Sequence, residues 1–211
     1  MENPICPKGD PDFRLIETFG IYPDSGARHL DRHLRRMARS AGILGLPFDL
    51  NTAQARIAEL VELHVDGPTR CRLTLTVDGR FDLTQAPLAA NPDIWRVAIA
   101  PNRLHSQDPW LAHKTSRRAI YDAARAHIPD GVDELVFLNE RDEICEGTIT
   151  NLFLVDQKRT PALTCGVLPG IQREIALEQG YSEAIVTLSD LQNGGFMMGN
   201  SLRGFISAAL V

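Results

Sequence analysis

Hydrophobic positions along the chain change their period several times, and each change marks an element. From Arg70 to Val77 the alternation is strict. Cys71, Leu73, Leu75 and Val77 fall on one face, Arg70, Arg72, Thr74 and Thr76 on the other, as in a strand buried on one side. Between His29 and Leu44 the apolar residues Leu30, Leu34, Met37, Ala38, Ala41 and Leu44 recur at helical spacing. That predicts an amphipathic helix, stopped by Gly45 and Pro47. A second helix is predicted from a cap at Asn51 or Thr52 to about His64, carrying Ala55, Ile57, Ala58, Leu60 and Val61. Phe13–Tyr22 (FRLIETFGIY) is rich in β-formers and reads as a strand, closed by Pro23 and a turn at Asp24-Ser25-Gly26. Asp78-Gly79 turns the chain into another strand, and Ile94–Ala100 is a further one.

Residues 101–113 interrupt this pattern with Pro101 and Pro109, so a domain boundary is expected there. The division is an N-terminal α+β domain over residues 1–105 and a C-terminal α/β domain over residues 106–211. The second half predicts a helix from about Ser116 to His127, and strands near Glu134–Leu138, Glu143–Cys145 and Asn151–Val155. A helix from Ile171 to Glu178 starts directly after Leu168-Pro169-Gly170, and strands near Ala184–Thr187, Phe196–Met198 and Gly204–Ser207 finish the chain. Strands and helices mix without regular βαβ alternation, so the fold class is α+β. Residues 1–12, with three prolines and a glycine, read as a loose lead-in.

Composition narrows the functional classes. With 211 residues and 44% hydrophobic content, the chain can bury one substantial core or two small ones. A net charge of −5 argues against sequence-independent nucleic-acid binding, which needs clustered cations. The basic cluster Arg32, Arg35, Arg36 and Arg39 lies within the first helix and reads mainly as its solvated face. Cys6, Cys71, Cys145 and Cys165 form no C-x-x-C pair and no zinc spacing, which suits reduced thiols in the cytoplasm. No apolar run reaches 18 residues, so neither a membrane span nor a signal core is expected.

Several residues could carry chemistry. Gly166–Glu174 (GVLPGIQRE) is a Gly/Pro loop entering a helix, where the backbone N–H groups of Ile171 and Gln172 can bind phosphate; a plain loop would look the same. Lys114, in WLAHKTS, has the partly apolar surroundings a Schiff-base lysine needs, although most lysines are solvated. Glu146, in CEGTITNLF, stands where a carboxylate could enter a pocket, or where a turn glutamate could face solvent. Arg72 could fork a carboxylate or simply face water. His29 and His33 share metal-pair spacing, but Leu30 occupies the place of the glutamate in HExxH, so no metal is expected. GxSxG, GxGxxG and GxxxxGK[ST] are all missing from the sequence, which removes the usual hydrolase, Rossmann and P-loop readings.

In their order along the chain, these segments resemble the class IV aminotransferase family, the fold-type IV pyridoxal-phosphate enzymes. The resemblance is carried by LIETF (15–19), HLDRHLRRMARSAGILG (29–45), RCRLTLTVDG (70–79), HKTSRRAIYDAAR (113–125), VFLNERDEICEGTITNLFLV (136–155), GVLPGIQRE (166–174) and GNSLRGFISA (199–208). It implies a D-amino acid aminotransferase-like fold, with two small α/β domains and the cofactor between them. It also implies a homodimer whose partner closes the pocket. Residue by residue, Lys114 resembles the Schiff-base lysine, Glu146 the partner of the pyridine nitrogen, and Arg36 the phosphate-contacting arginine. The backbone of Ile171 and Gln172 resembles the phosphate cup, and Asn200 a phosphate-side residue. Asn151 and Glu17 fall at pocket positions, Asn151 on the cofactor side and Glu17 on the substrate side. Arg72 resembles a residue used for substrate carboxylate, with Arg203 and then Arg117 as further carboxylate binders. Twelve residues precede Phe13, where typical members carry a further strand pair.

Within the family, HKTSRR, GNSLRG and LDRHLRR are most similar to aminodeoxychorismate lyases, particularly the module fused to aminodeoxychorismate synthases. The implied reaction converts 4-amino-4-deoxychorismate to 4-aminobenzoate and pyruvate, a step of folate biosynthesis. Branched-chain aminotransferases usually carry a tyrosine five residues after the lysine, where this chain has Ala119. The alternatives are a class IV aminotransferase acting on D-amino or branched-chain substrates, and a non-catalytic protein that keeps the fold.

Overall fold

The computed structural model describes residue 7, residues 9–62 and residues 67–211. The chain forms two compact units, Met1–Ala90 with His113–Arg117, and Asn91–Ala112 with Arg118–Val211.

The first unit contains β1 (Arg14–Tyr22), β2 (Gly26–Ala27), α1 (Leu30–Leu44), α2 (Leu50–Glu62), β3 (Thr69–Thr76) and β4 (Phe81–Pro87). Its strands form an antiparallel sheet in the order β2-β1-β3-β4. The register sets Leu15 opposite Leu75, Glu17 opposite Leu73, and Thr18 opposite Arg72. Because side chains alternate along a strand, Leu15, Glu17, Phe19, Cys71, Leu73 and Leu75 share one face. That face is buried, and α1 packs on β1 through its stripe of Leu34, Met37, Ala41 and Leu44. The opposite face carries Ile16, Thr18, Arg72 and Thr74.

Helix α1 begins after His29, a left-handed N-cap, and ends at Gly45, whose φ of 68° favours glycine. The predicted cap of α2 at Asn51 or Thr52 is corrected. The helix begins at Leu50, because the Asp49 carboxylate accepts the Thr52 N–H at 2.6 Å. The predicted end at His64 lies outside the described residues, as does Cys6.

Residues 113–117 return to this unit from far along the chain. Ile16 N–H donates to the Lys114 carbonyl and Ser116 N–H to the Arg14 carbonyl, each at 2.9 Å, around a Leu15–Thr115 bridge. Leu15 also pairs with Leu75, so this segment runs along the edge of β1 opposite β3.

The second unit contains β5 (Ile94–Leu104), α3 (Ala119–Ala126), β6 (Glu134–Asn139), β7 (Ile144–Gly147), β8 (Asn151–Leu154), β9 (Arg159–Pro161), α4 (Ile171–Glu178), β10 (Ser182–Ala184), α5 (Leu188–Asn193), β11 (Phe196–Asn200) and β12 (Gly204–Leu210). The mixed sheet has the order β10-β9-β8-β11-β12-β5-β6-β7. Strand β6 places Val136 and Leu138 in one core cluster and Leu135 and Phe137 in another. A strand buried on both faces reads as an unbroken apolar run, which is why ELVFLN shows no alternation.

Two expectations shift here. Strand β5, expected in the N-terminal domain, belongs to the second unit because it pairs in parallel with β12 and β6. It also continues past Pro101 to Leu104, with a register irregularity between Ile99 and Arg103 that accommodates the proline. Thr187, expected in a strand, instead caps α5 through a capping box with Asp190. Among the described residues, no helix is long and apolar enough to cross a membrane.

Candidate functional site

Glu146 lies in β7 and is buried. Its Oε1 accepts the Tyr121 hydroxyl at 2.8 Å, and its Oε2 accepts the Leu168 N–H at 3.0 Å and the Asn151 side-chain amide at 3.2 Å. The same Asn151 nitrogen lies 3.1 Å from the Leu168 carbonyl. Burial, and then the neighbouring Glu146 carboxylate, push the Tyr121 phenol far above its ordinary range. The proton therefore stays on Tyr121, which acts as a donor.

The turn after Glu146 is wound around a second buried carboxylate, Glu134. It accepts the N–H and hydroxyl of Thr148, the Ile149 N–H at 3.3 Å and the Thr150 hydroxyl at 3.0 Å. A Cβ at Gly147 would strike the Thr150 hydroxyl and the Glu134 carboxylate, so this approach requires glycine. Helix α3 grips the turn from outside. Arg118 donates to the Thr148 carbonyl at 3.0 Å and Arg125 to the Thr148 hydroxyl at 2.8 Å. Arg118, Tyr121 and Arg125 are spaced to share one helix face, and all three bond residues between 146 and 148.

Helix α4 starts as expected. Its N-cap, Gly170, offers no side-chain cap, and the first intrahelical bond runs from Glu174 N–H to the Gly170 carbonyl at 2.9 Å. The N–H groups of Ile171, Gln172 and Arg173 precede that bond, so the helix itself supplies them no acceptor. A Cβ at Gly170 would collide with the Asn151 side-chain oxygen, and one at Gly199 would press on the Gly204 carbonyl. Asn200 donates to the Ile149 carbonyl at 3.2 Å and accepts the Arg203 N–H at 2.9 Å. Arg203 turns its guanidinium to Asn91, at 2.7 Å, and toward the Trp95 ring.

These residues fit pyridoxal phosphate. A helix N-terminus supplies donors suited to a phosphate, and Glu146 supplies a carboxylate suited to a ring nitrogen. Asn151 ties the two together, since it bonds Glu146 and the Leu168 carbonyl just before α4. Among the described residues, no three His, Cys, Asp or Glu side chains gather as metal ligands would.

In the first unit, Arg36 forks Glu17, with Nε to Oε1 at 2.8 Å and Nη2 to Oε2 at 2.6 Å. His33 Nδ1 lies 2.6 Å from the same Oε2. Burial pushes the Glu17 carboxyl up, but the Arg36 charge and the hydrogen bonds from His33 and Arg36 outweigh it and hold the group at about 2. Glu17, expected among the substrate-side residues, thus lies on the apolar face under α1 as the ion-pair partner of Arg36. Arg72 is exposed on the opposite face. Lys114 is half-buried and opposes Ile16 across the edge of β1, so alternation gives it the same face as Arg72. Arg117 is exposed, 3.6 Å from Asp10.

The Amino-transferase class IV family model matches residues 14–211. The chain belongs to the class IV aminotransferase family. Members of this family depend on pyridoxal phosphate, and the mixed two-sheet fold is that of its fold-type IV enzymes. A Mesorhizobium loti protein provisionally described as an amino-acid aminotransferase is 39% identical over 95% of this chain and 100% of its own, with a TM-score of 0.89. The 4-amino-4-deoxychorismate lyase of Pseudomonas aeruginosa has 24% identity over 93% of this chain and 83% of its own, with a TM-score of 0.79. A hypothetical aminotransferase from Mycobacterium tuberculosis in its PLP-bound form has 20% identity over 93% and 81%, with a TM-score of 0.78. No curated protein sequence matches the chain.

For a class IV aminotransferase chain, the residues that sequence reasoning left without a role are Tyr121 and Glu134. Each left a signal. Tyr121 shares a helical stripe with two arginines, on a helix otherwise made largely of alanine. Glu134 opens a strand whose every position is buried, where an ionised side chain requires partners.

Proposed function

We propose that this class IV enzyme is an aminodeoxychorismate lyase, converting 4-amino-4-deoxychorismate into 4-aminobenzoate and pyruvate. The observation that carries the reading is the pairing of Lys114 and Arg72 on one face of the first sheet. Two strand spacings of about 5 Å and two residues of about 3.4 Å along the strand separate their backbones. Both side chains are long, so between them they span a six-membered ring with an amine at one end and a carboxylate at the other. The likeness of HKTSRR, GNSLRG and LDRHLRR to lyases supports the same reading, as does Ala119 in place of a tyrosine.

Pyridoxal phosphate, when bound, supplies the electron sink for the charge released as the substrate C–H bond breaks. Lys114 carries the cofactor and then takes the proton from the ring carbon that bears nitrogen. Glu146 would face the ring nitrogen and keep it protonated. The N-terminus of α4 and Asn200 would hold the phosphate, and Arg72 would bind a substrate carboxylate, with Arg203 and Arg117 as candidates for the second. Breaking the C–O bond to the enolpyruvyl group, with return of a proton to it, releases pyruvate and aromatises the ring. Aromatisation favours product, so the protein's contribution is mainly positioning. On this reading the enzyme is a cytoplasmic homodimer supplied by an aminodeoxychorismate synthase.

The second reading, transamination of D-amino or branched-chain substrates, is favoured by the likeness to the Mesorhizobium loti protein. The test is 4-aminobenzoate production from aminodeoxychorismate generated in situ, beside Lys114→Ala. Product from the wild type and none from the variant supports the lyase. A wild type that makes none, yet aminates an α-keto acid, is a transaminase.

A further inference from the structure

We infer that Tyr121 is a positioning residue for Glu146, whose hydroxyl fixes the carboxylate that meets the cofactor's ring nitrogen. The inference rests on the pyridoxal-phosphate reading of the site but not on the lyase reaction.

The phenol is anchored before it reaches the carboxylate. Its ring is buried in a core cluster with Leu135, Phe137 and Cys145, and meets Phe137 edge-on with centroids 5.1 Å apart. Arg118 and Arg125 pin the same helix face to Thr148. The hydroxyl therefore arrives at Glu146 Oε1 from a fixed direction, at 2.8 Å. The other oxygen, Oε2, is held from different elements, by the Leu168 N–H and the Asn151 amide. A carboxylate tied at both oxygens by groups from a helix, a strand and a loop has one orientation. Without the phenol, Oε1 loses the donor that α3 supplies.

The donor's chemistry matters as much as its position. A tyrosine hydroxyl orients an anion while adding no positive charge, so Glu146 keeps its negative charge for the ring nitrogen. An arginine at this point would orient it equally well and cancel that charge. Tyr121 stands seven residues after Lys114, so one short segment carries both the cofactor lysine and the residue that aims its counter-charge.

Tyr121→Phe keeps the buried ring and removes the hydroxyl, and Leu191→Ala, in the unit's other core cluster, serves as the packing control. Each protein is titrated with pyridoxal phosphate, the absorption spectrum of the bound cofactor is recorded, and turnover is measured. Tyr121→Phe is expected to bind the cofactor about tenfold more weakly, the scale of one hydrogen bond to a charged group. The bound cofactor's absorption should shift, and kcat should fall while KM changes little. Leu191→Ala should lower the melting temperature and leave the spectrum alone. Site-specific Tyr121→3-fluorotyrosine keeps the shape, strengthens the donor and should shift the spectrum the opposite way. It also serves if Tyr121→Phe does not fold. Wild-type affinity and spectrum in the Tyr121 variants would overturn the inference, and so would an equal spectral change in Leu191→Ala. A wild type that makes no 4-aminobenzoate while the Tyr121 variants still shift the spectrum defeats the lyase and leaves this inference standing.

Discussion

Glu17 in the first unit and Glu146 in the second are both buried carboxylates, but a guanidinium forks the one while a phenol, an amide and a backbone N–H hold the other. Burying a carboxylate is costly unless its lone pairs are met, and both sites meet that demand. The difference lies in charge. Arg36 cancels the charge of Glu17, so the pair locks α1 to β1. Tyr121, Asn151 and the Leu168 N–H are neutral donors, so they orient Glu146 without cancelling its charge. Glu134 is a third case, saturated by threonine hydroxyls and amides with Arg125 at 3.6 Å, and it shapes the turn. The three acids differ in how they are satisfied rather than in how deeply they lie.

The largest expected effect tests that contrast at Glu146. Glu146→Gln keeps the size and removes the charge, so kcat should fall roughly a hundredfold or more, with little change in urea denaturation. If Glu17→Gln reduced turnover equally while stability held, the contrast would be broken. Glu17→Gln should instead act on stability, because it leaves Arg36 buried without its counter-charge. A loss of about 3–5 kcal/mol is expected, and the double variant Glu17→Gln, Arg36→Gln should lose less than the two single losses combined.

The same residue sets an acid limb. Its folded carboxyl sits at about 2 against an ordinary 4.5, so the stabilisation is fully present above 4.5 and disappears as pH falls toward 2. Melting temperature against pH should be flatter over that window in Glu17→Gln than in the wild type. A smaller effect is expected from Gly170→Ala. The added methyl meets the Asn151 side-chain oxygen and should loosen cofactor binding severalfold, with the overpacking cost shared by local shifts. The smallest is Asp31→Asn, which removes an exposed i,i+4 pair with Arg35. No change in melting temperature or cofactor affinity should be measurable.

Local order was legible in the residues themselves. The alternation over 70–77, the helical spacing over 30–44 and the Leu168-Pro169-Gly170 entry into α4 each depend on neighbours within a few positions, and each element formed. The family resemblance rested on such segments. Elements without a period were harder to read. ELVFLN is buried on both faces and shows none, and the short β9 is set by pairing with β8 and β10.

What the sequence determined, then, was the run of elements and the residue types available for chemistry, because propensity, periodicity and capping act within a turn or two of the chain. Tertiary structure decided the partners. Lys114 lies on the edge of β1 because Leu15 and Thr115 pair across a hundred residues. Glu17 meets Arg36 because the register of β1 against β3 puts it under α1. Tyr121 reaches Glu146 because α3 docks its one polar stripe on the turn after β7. Pairing, register and docking depend on groups far apart in the chain, and no local pattern records them.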